Sequence, residues 1–336
     1  MRSCAALIGR WPHVHRPVVP YRQVDDGDRF CYIESSVVVA CPLRHVSPTR
    51  LCYRHGTEAW DIRLASARTC RVAESIYQMR WHPPSATLQI HVLLCRVNRE
   101  GQLITTSSTS LEAIALTVLG SRALAAAGQS DMVWGHASVR DQEGRGAWMK
   151  SSGWGLEEID ESKILLVSPD GDVLHGTGHR HIEYPIHTEI MARRADVGAV
   201  VHTHSDAANA FAALDVPLRP LNHAGSLFSY PDVPRFTLTG GLISTRALGQ
   251  ALADALGSAS ACLMPQHGLV SVGKDLRTAV MTAVLLDRAC RIQLTAMAAG
   301  PVTRWGSEED TVAKRDVVWS DSQMTAGWEY LVRLAG

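Results

Sequence analysis

The apolar run Val197-Gly198-Ala199-Val200-Val201 leads directly into His202-Thr203-His204, and this junction restricts the fold more than any other stretch of the chain. A short run of small and β-branched residues reads as a strand. Residues two apart on a strand point to the same side, with Cα atoms roughly 6–7 Å apart. Two imidazoles so placed can converge on one metal ion at bond lengths of about 2.0–2.1 Å. Pro265-Gln266-His267-Gly268 supplies a third imidazole, followed by a Gly that lets the backbone come close. Glu183, in Glu183-Tyr184-Pro185-Ile186-His187, precedes a helix that would carry it back toward the start of the His strand. Three imidazoles leave open positions on a divalent cation, which is a catalytic rather than a structural arrangement. A carboxylate beside that opening is a ready acid or base. The reading is a metal-dependent enzyme. With 15 His in the chain some close pairs arise by accident, so the specific signal is the conjunction of the four elements.

The bulk numbers set the frame around this site. At 336 residues and 46% hydrophobic, the chain has material for one large domain or two ordinary ones. The formal net charge is zero, which speaks against a general nucleic-acid or membrane-surface role. That balance averages two unlike parts. Residues 1–110 hold 14 Arg, no Lys and 8 acids, a net of about +6, which leaves about −6 for the remainder. No apolar run reaches the length of a membrane span, and the first ten residues are too quickly interrupted for a secretory signal. Six of the eight Cys fall in the first hundred residues without a Cys-x-x-Cys spacing, so neither a zinc module nor a disulfide framework is indicated. The cytoplasm is the expected location.

Residues 1–108 carry apolar pieces at Ser36–Cys41 and Leu88–Leu94 that can be strands, with Arg, His, Pro and Cys scattered between them. Two readings stand: a spurious or disordered extension, favoured by the jump in composition, or a small divergent domain. The texture changes at Thr109, and residues 109–336 read as the catalytic domain. Thr109-Ser110-Leu111-Glu112 fits a capping box, with Leu111, Ile114, Ala115, Val118 and Leu119 on one helical face and Gly128 as the stop. Strands are expected within Asp131–Val139, at Ala147–Lys150 and at Ile164–Ser168, with a turn at Pro169-Asp170-Gly171-Asp172. Helices are expected after Pro185, after Ser205 or Asp206, after Ser244 or Thr245 and after Asp275. Strands at Ala261–Met264 and Leu269–Val272 bracket His267. Strands mixed with helices, without regular βαβ alternation, indicate an α/β fold with a mixed sheet flanked by helices.

The glutamate, the His-x-His strand and the later His-Gly together resemble the class II aldolase/adducin family, over about two-thirds of the chain. The resemblance implies an α-β-α sandwich on a largely antiparallel sheet, a homotetramer with sites at subunit interfaces, and one divalent ion per subunit. His202, His204 and His267 would be its ligands, and Glu183 the proton carrier. Zinc is the first expectation, and three imidazoles also accept manganese, cobalt or iron.

Family members acting on phosphorylated sugars carry Gly-Asn-x-Ser, a Ser/Thr-Gly turn and a Ser pair before the glutamate. Here the matching positions are Gly135-His136-Ala137-Ser138, Ser152-Gly153 and His181-Ile182, with Arg180 just before. This set suits a carboxylate or phenolic oxygen better than a phosphate. It is similar to the decarboxylase branch, whose members act on dihydroxyphthalate-type acids or hydroxy-carboxymuconic semialdehydes. The expectation is a carbon–carbon lyase for a small carboxylate substrate, with no nucleic-acid or membrane partner. An aldolase, a non-haem iron oxygenase and a non-catalytic adducin-like module are the alternatives. Further candidates for substrate contact are His223 and, from a neighbouring subunit, Tyr330; each can equally be a solvated or packing residue. His187, four residues after Glu183, either orients it or packs.

Overall fold

The computed structural model describes residues 32–33, 37–39, 50–55, 58–63, 91–97, 103–106 and 108–336. The chain divides into two compact units, Met1–Leu111 and Glu112–Gly336. The first holds β1 (Tyr32–Ile33), β2 (Val37–Val39), β3 (Arg50–His55), β4 (Glu58–Arg63), β5 (His91–Val97) and β6 (Leu103–Thr106). They form two three-stranded sheets, ordered β1-β3-β4 and β2-β5-β6. The question of an extension in residues 1–108 falls for the most part outside the described residues.

The second unit is entered through α1 (Ser108–Ala126). Its strands are β7 (His136–Arg140), β8 (Ala147–Lys150), β9 (Ile164–Val167), β10 (Val173–His175), β11 (Ala199–Thr203), β12 (Ala261–Met264) and β13 (Gly268–Gly273). Its other helices are α2 (Tyr184–Arg193), α3 (Asp206–Ala212), α4 (Arg246–Leu256), α5 (Leu276–Ala299), α6 (Glu308–Val318) and α7 (Asp321–Ala335). The sheet runs β10-β9-β8-β7-β11-β13-β12, and every neighbouring pair in it is antiparallel. This is the α/β class and the antiparallel sheet anticipated above.

Alternation along the strands builds the two faces. Ala137, Val139, Ala199, Val201, Leu263 and Leu269 pack with α1, α3 and α5 on one side. Val200, Cys262, Met264, Val270 and Val272 pack with α2 and α4 on the other. His202 continues the Val200 face, and its register partner on β7 is His136. The site thus grows from the α2 side of the sheet. Arg246 and Gln250 of α4 both grip the buried Glu189 carboxylate of α2, at 2.7 and 2.9 Å, which locks the two helices together. Thr245 and Asp275 cap α4 and α5 through the N–H groups of Leu248 and Thr278.

The first helix differs from its expected face. Ala113, Ile114, Thr117, Gly120, Ser121 and Leu124 are buried, whereas Leu119 is 39% exposed. The reason is close packing of small residues on α5, since a side chain at Gly120 would collide with Leu276. The Thr117 and Ser121 hydroxyls satisfy themselves on Ala113 and Thr117 carbonyls one turn back. A hydrophobic pattern alone misses such a face.

Gly268 performs a similar role at the site end of β13. A Cβ there would run into the Thr203 carbonyl and sit 3.0 Å from the His204 ring. Gly268→Ala is expected to force β13 away from β11, costing roughly 1–3 kcal/mol. Urea unfolding should show the lost midpoint, and an unchanged midpoint would contradict this packing account.

Candidate metal centre

His202, His204, His267 and Glu183 each offer one ligand atom within 4.8 Å of all the others. The two strand imidazoles are held by their outer nitrogens. His202 Nδ1 lies 2.8 Å from the Leu269 carbonyl, which only accepts, so that nitrogen carries the hydrogen. His204 Nδ1 lies 2.9 Å from the Asp131 carboxylate, again an acceptor. Burial pushes His202 well below the ordinary imidazole value, so it is neutral. His202 Nε2 therefore presents a lone pair, and His204 Nε2 faces it at 3.0 Å. Two ring nitrogens held that close can share one cation.

Glu183 closes the opposite side. It caps the N-terminus of α2, where backbone N–H groups favour negative charge. Its Oε1 accepts a 2.7 Å hydrogen bond from the Ile243 N–H. Its carboxylate approaches His267 Nε2 at 3.3 Å and His202 Nε2 at 3.7 Å. The His267 contact lies off the line of a hydrogen bond, so both ring nitrogens of His267 are buried without a partner among the described residues. Burial would raise the Glu183 pKa, but the polar contact with His267, the nearby His202 and the Ile243 N–H outweigh it and hold the carboxyl at about 2. Three imidazoles and one carboxylate are a donor set that fits a divalent cation.

The remaining candidates separate into two groups. His136 and His181 border the centre: their rings stand 4.3 Å apart, and His136 stands 5.1 Å from His202. His181 is buried, its pKa pushed down to about 3 by burial and by the nearby Lys150 charge. Its Nε2 has no hydrogen-bond partner among the described residues. Gly135 (φ +76°) turns the chain beside the His202 and Thr203 backbone. Ser152 and Gly153 lie exposed on a turn, with Gly153 at φ +87°. Ser138 is fully buried, and its hydroxyl lies against His187 at 2.6 Å rather than at a pocket surface. His187 hydrogen-bonds Ser138 and His136, and Glu183 is held by Ile243.

Arg180 donates to the Gly171 carbonyl and stacks on Tyr184, which braces the turn before β10. His223 has an exposed side chain, and its carbonyl accepts from Trp319 Nε1. Tyr330 is 55% exposed on α7, outside the centre. Sequence reading missed Asp131, Ile243 and Lys150. Asp131 lies 73 residues from His204, and Ile243 acts through its backbone, so neither leaves a local signal. Lys150 is completely buried, donates to the Val133 and Trp154 carbonyls, and has its pKa pushed down to about 8 by burial. Its ammonium ties together the two turns that carry Gly135 and Gly153.

Residues 115–294, more than half of the chain, match the family described as Class II Aldolase and Adducin N-terminal domain. The chain belongs to the class II aldolase and adducin family. Among curated members, 3,4-dihydroxyphthalate decarboxylase of Arthrobacter keyseri is 29% identical over 245 residues, covering 68% of this chain and 96% of that protein. Decarboxylase NovR of Streptomyces niveus is 37% identical over 139 residues, 40% of this chain and 51% of its own length. The chain thus spans about half of the latter. Among solved structures, an L-fuculose 1-phosphate aldolase from Glaciozyma antarctica PI12 superposes with a TM-score of 0.59 at 26% identity, covering 70% of this chain and 93% of that one. An aldolase II superfamily protein from Pseudomonas syringae shares the fold with a TM-score of 0.62 at 24% identity, covering 68% and 94%. No helix among the described residues is long and apolar enough to cross a membrane.

Two outcomes follow for this family member. Asp131→Asn weakens the acceptor that orients His204, and metal affinity should fall about 10–100-fold in chelator competition; unchanged affinity would refute the assignment. His187 is fully buried with its pKa pushed down to about 3. An unfolded His takes its proton near pH 6.5, so between these values the unfolded chain holds the extra proton and stability falls as pH falls. One such group loses roughly 2 kcal/mol by about pH 5. Unfolding midpoints of metal-free protein should drop across that span, and a flat profile would contradict it.

Proposed function

We propose that this family member is a divalent-metal-dependent carbon–carbon lyase, and specifically a decarboxylase of an aromatic or unsaturated hydroxy or oxo acid. The observation that carries the metal reading is the pair of opposed Nε2 atoms, with His267 and Glu183 completing the set. A bound divalent cation supplies Lewis-acid stabilisation of negative charge on a substrate oxygen. Zinc is preferred for three imidazoles, with manganese, cobalt or iron as substitutes. The chain's own groups do the rest. Leu269 and Asp131 fix the two strand imidazoles. Glu183, held ionised, rests as a base. It takes a proton from the substrate or water and returns it to the carbon that loses CO2.

The choice of decarboxylation over aldol cleavage rests on the rim. Where phosphorylated substrates need dense anion donors, this rim offers the two imidazoles of His136 and His181, kept neutral by burial. The guanidinium of Arg180 is already committed to Gly171 and Tyr184. The curated relative acting on a dihydroxyphthalate accords with this reading. Aldol cleavage is the second reading, favoured by the likeness to the fuculose phosphate aldolase. The reading places the enzyme in the cytoplasm as a homotetramer, with Tyr330 free to meet a neighbouring subunit.

Incubation of metal-loaded protein with candidate hydroxy acids, with CO2 measured directly, separates the two. Glu183→Gln should keep its metal while kcat falls about 10²–10⁴-fold. A product aldehyde without CO2 would reject the decarboxylase, and full activity in the Gln variant would reject Glu183 as proton carrier.

A further inference from the structure

A buried string of polar groups runs from the sheet to the rim of the metal centre. Ser138 Oγ lies 3.5 Å from the Val200 carbonyl and 2.6 Å from His187 Nδ1. His187 Nε2 lies 2.6 Å from His136 Nδ1. Ser138 and His187 are fully buried and His136 is 2% exposed, so water does not complete these bonds. The string ends on a carbonyl, which has no hydrogen to give. That end sets the direction of every bond in it.

Ser138 gives its hydrogen to Val200 and so accepts from His187 Nδ1–H. His187 Nε2 is then a bare lone pair and accepts from His136 Nδ1–H. His136 Nε2 is left unprotonated, with no partner among the described residues. His136 stands opposite His202 in the register of β7 and β11. On its other side is His181, whose buried Nε2 also lacks a partner. The unpartnered His181 nitrogen carries a desolvation cost that a matching group removes.

We propose that Ser138 and His187 are positioning residues that fix the His136 tautomer, so that His136 Nε2 accepts a hydrogen bond from a hydroxyl of the substrate beside the metal centre. The identity of that substrate as a hydroxy acid rests on the lyase reading above. His136 is then a specificity determinant: it welcomes a phenolic or enolic O–H and repels an ether, carbonyl or carboxylate oxygen at the same point. A site built to pair with a hydroxyl discriminates strongly against an analogue without it.

The test uses the zinc-loaded full-length protein and two probes, 2,3-dihydroxybenzoate and 2-hydroxy-3-methoxybenzoate. Both keep the carboxylate and its neighbouring hydroxyl for the metal and differ in the second hydroxyl. Calorimetry should show the dihydroxy acid binding about tenfold or more tightly. His187→Phe should reduce that preference to within about threefold, with zinc stoichiometry unchanged. His187→Gln should restore it, because its amide oxygen accepts from His136 while its NH2 donates toward Val200. In 15N-histidine spectra the His136 hydrogen should sit on Nδ1 in wild type and move to Nε2 in His187→Phe.

Equal or reversed preference in wild type, no binding of either probe, or a folded His187→Phe protein that keeps the preference overturns the proposal. Should that variant not fold, the wild-type spectrum decides alone, and hydrogen on His136 Nε2 is fatal to it. Binding needs no turnover. A hydroxyl preference without CO2 release from any acid sinks the lyase reading alone; CO2 release without the preference sinks this one alone.

Discussion

The centre depends on two imidazole nitrogens held in place. Two imidazoles whose outer nitrogens are committed to fixed acceptors turn their Nε2 atoms toward one another at 3.0 Å. Burial keeps His202 from taking a proton, so its Nε2 is an acceptor. The backbone of β13 and the carboxylate of Asp131 thereby prepare a seat for positive charge before any arrives. Such preparation lowers the reorganisation needed on binding, which is the advantage of a rigid supporting shell.

The surroundings follow the same logic of fixed polarity. Glu183 sits at a helix N-terminus and on a backbone N–H, both of which favour its anion. His136 and His187 are each oriented by a bond on one ring nitrogen, which decides what the other can do. The strand-borne groups are nearly all buried, while Ser152 and Gly153 on their turn are open to solvent. Rigid chemistry below and adjustable turns above is the usual division in a fold that serves several substrates.

Much of this was legible in the residues themselves. The His202/His204 spacing, the Gly after His267 and the β-branched run into the site pointed to the strand and to the imidazoles that the fold brings together, because period-two geometry acts within a few residues. Caps at Thr245 and Asp275 were legible for the same reason. What escaped was long-range. Asp131 and Ile243 meet the cluster only through the sheet order and the α2–α4 pairing. The buried side of α1 follows from Gly120 against Leu276 of α5, where small size rather than hydrophobicity decides the contact. The sequence reads Ser138 as a substrate contact and His187 as either orienting Glu183 or packing; no spacing rule reveals that they bond to each other.

The pairing of β11 with β13 sets His202 opposite Val270 and Thr203 opposite Leu269. A slip of one residue would swing His202 to the α5 side and put Thr203 where the imidazole belongs. The ion-binding cluster therefore exists only in the correctly threaded sheet. Capture of a cation there would report, and by mass action reward, the proper alignment of strands that lie more than sixty residues apart in the chain. A bound cation would in this way double as a proofreader of assembly.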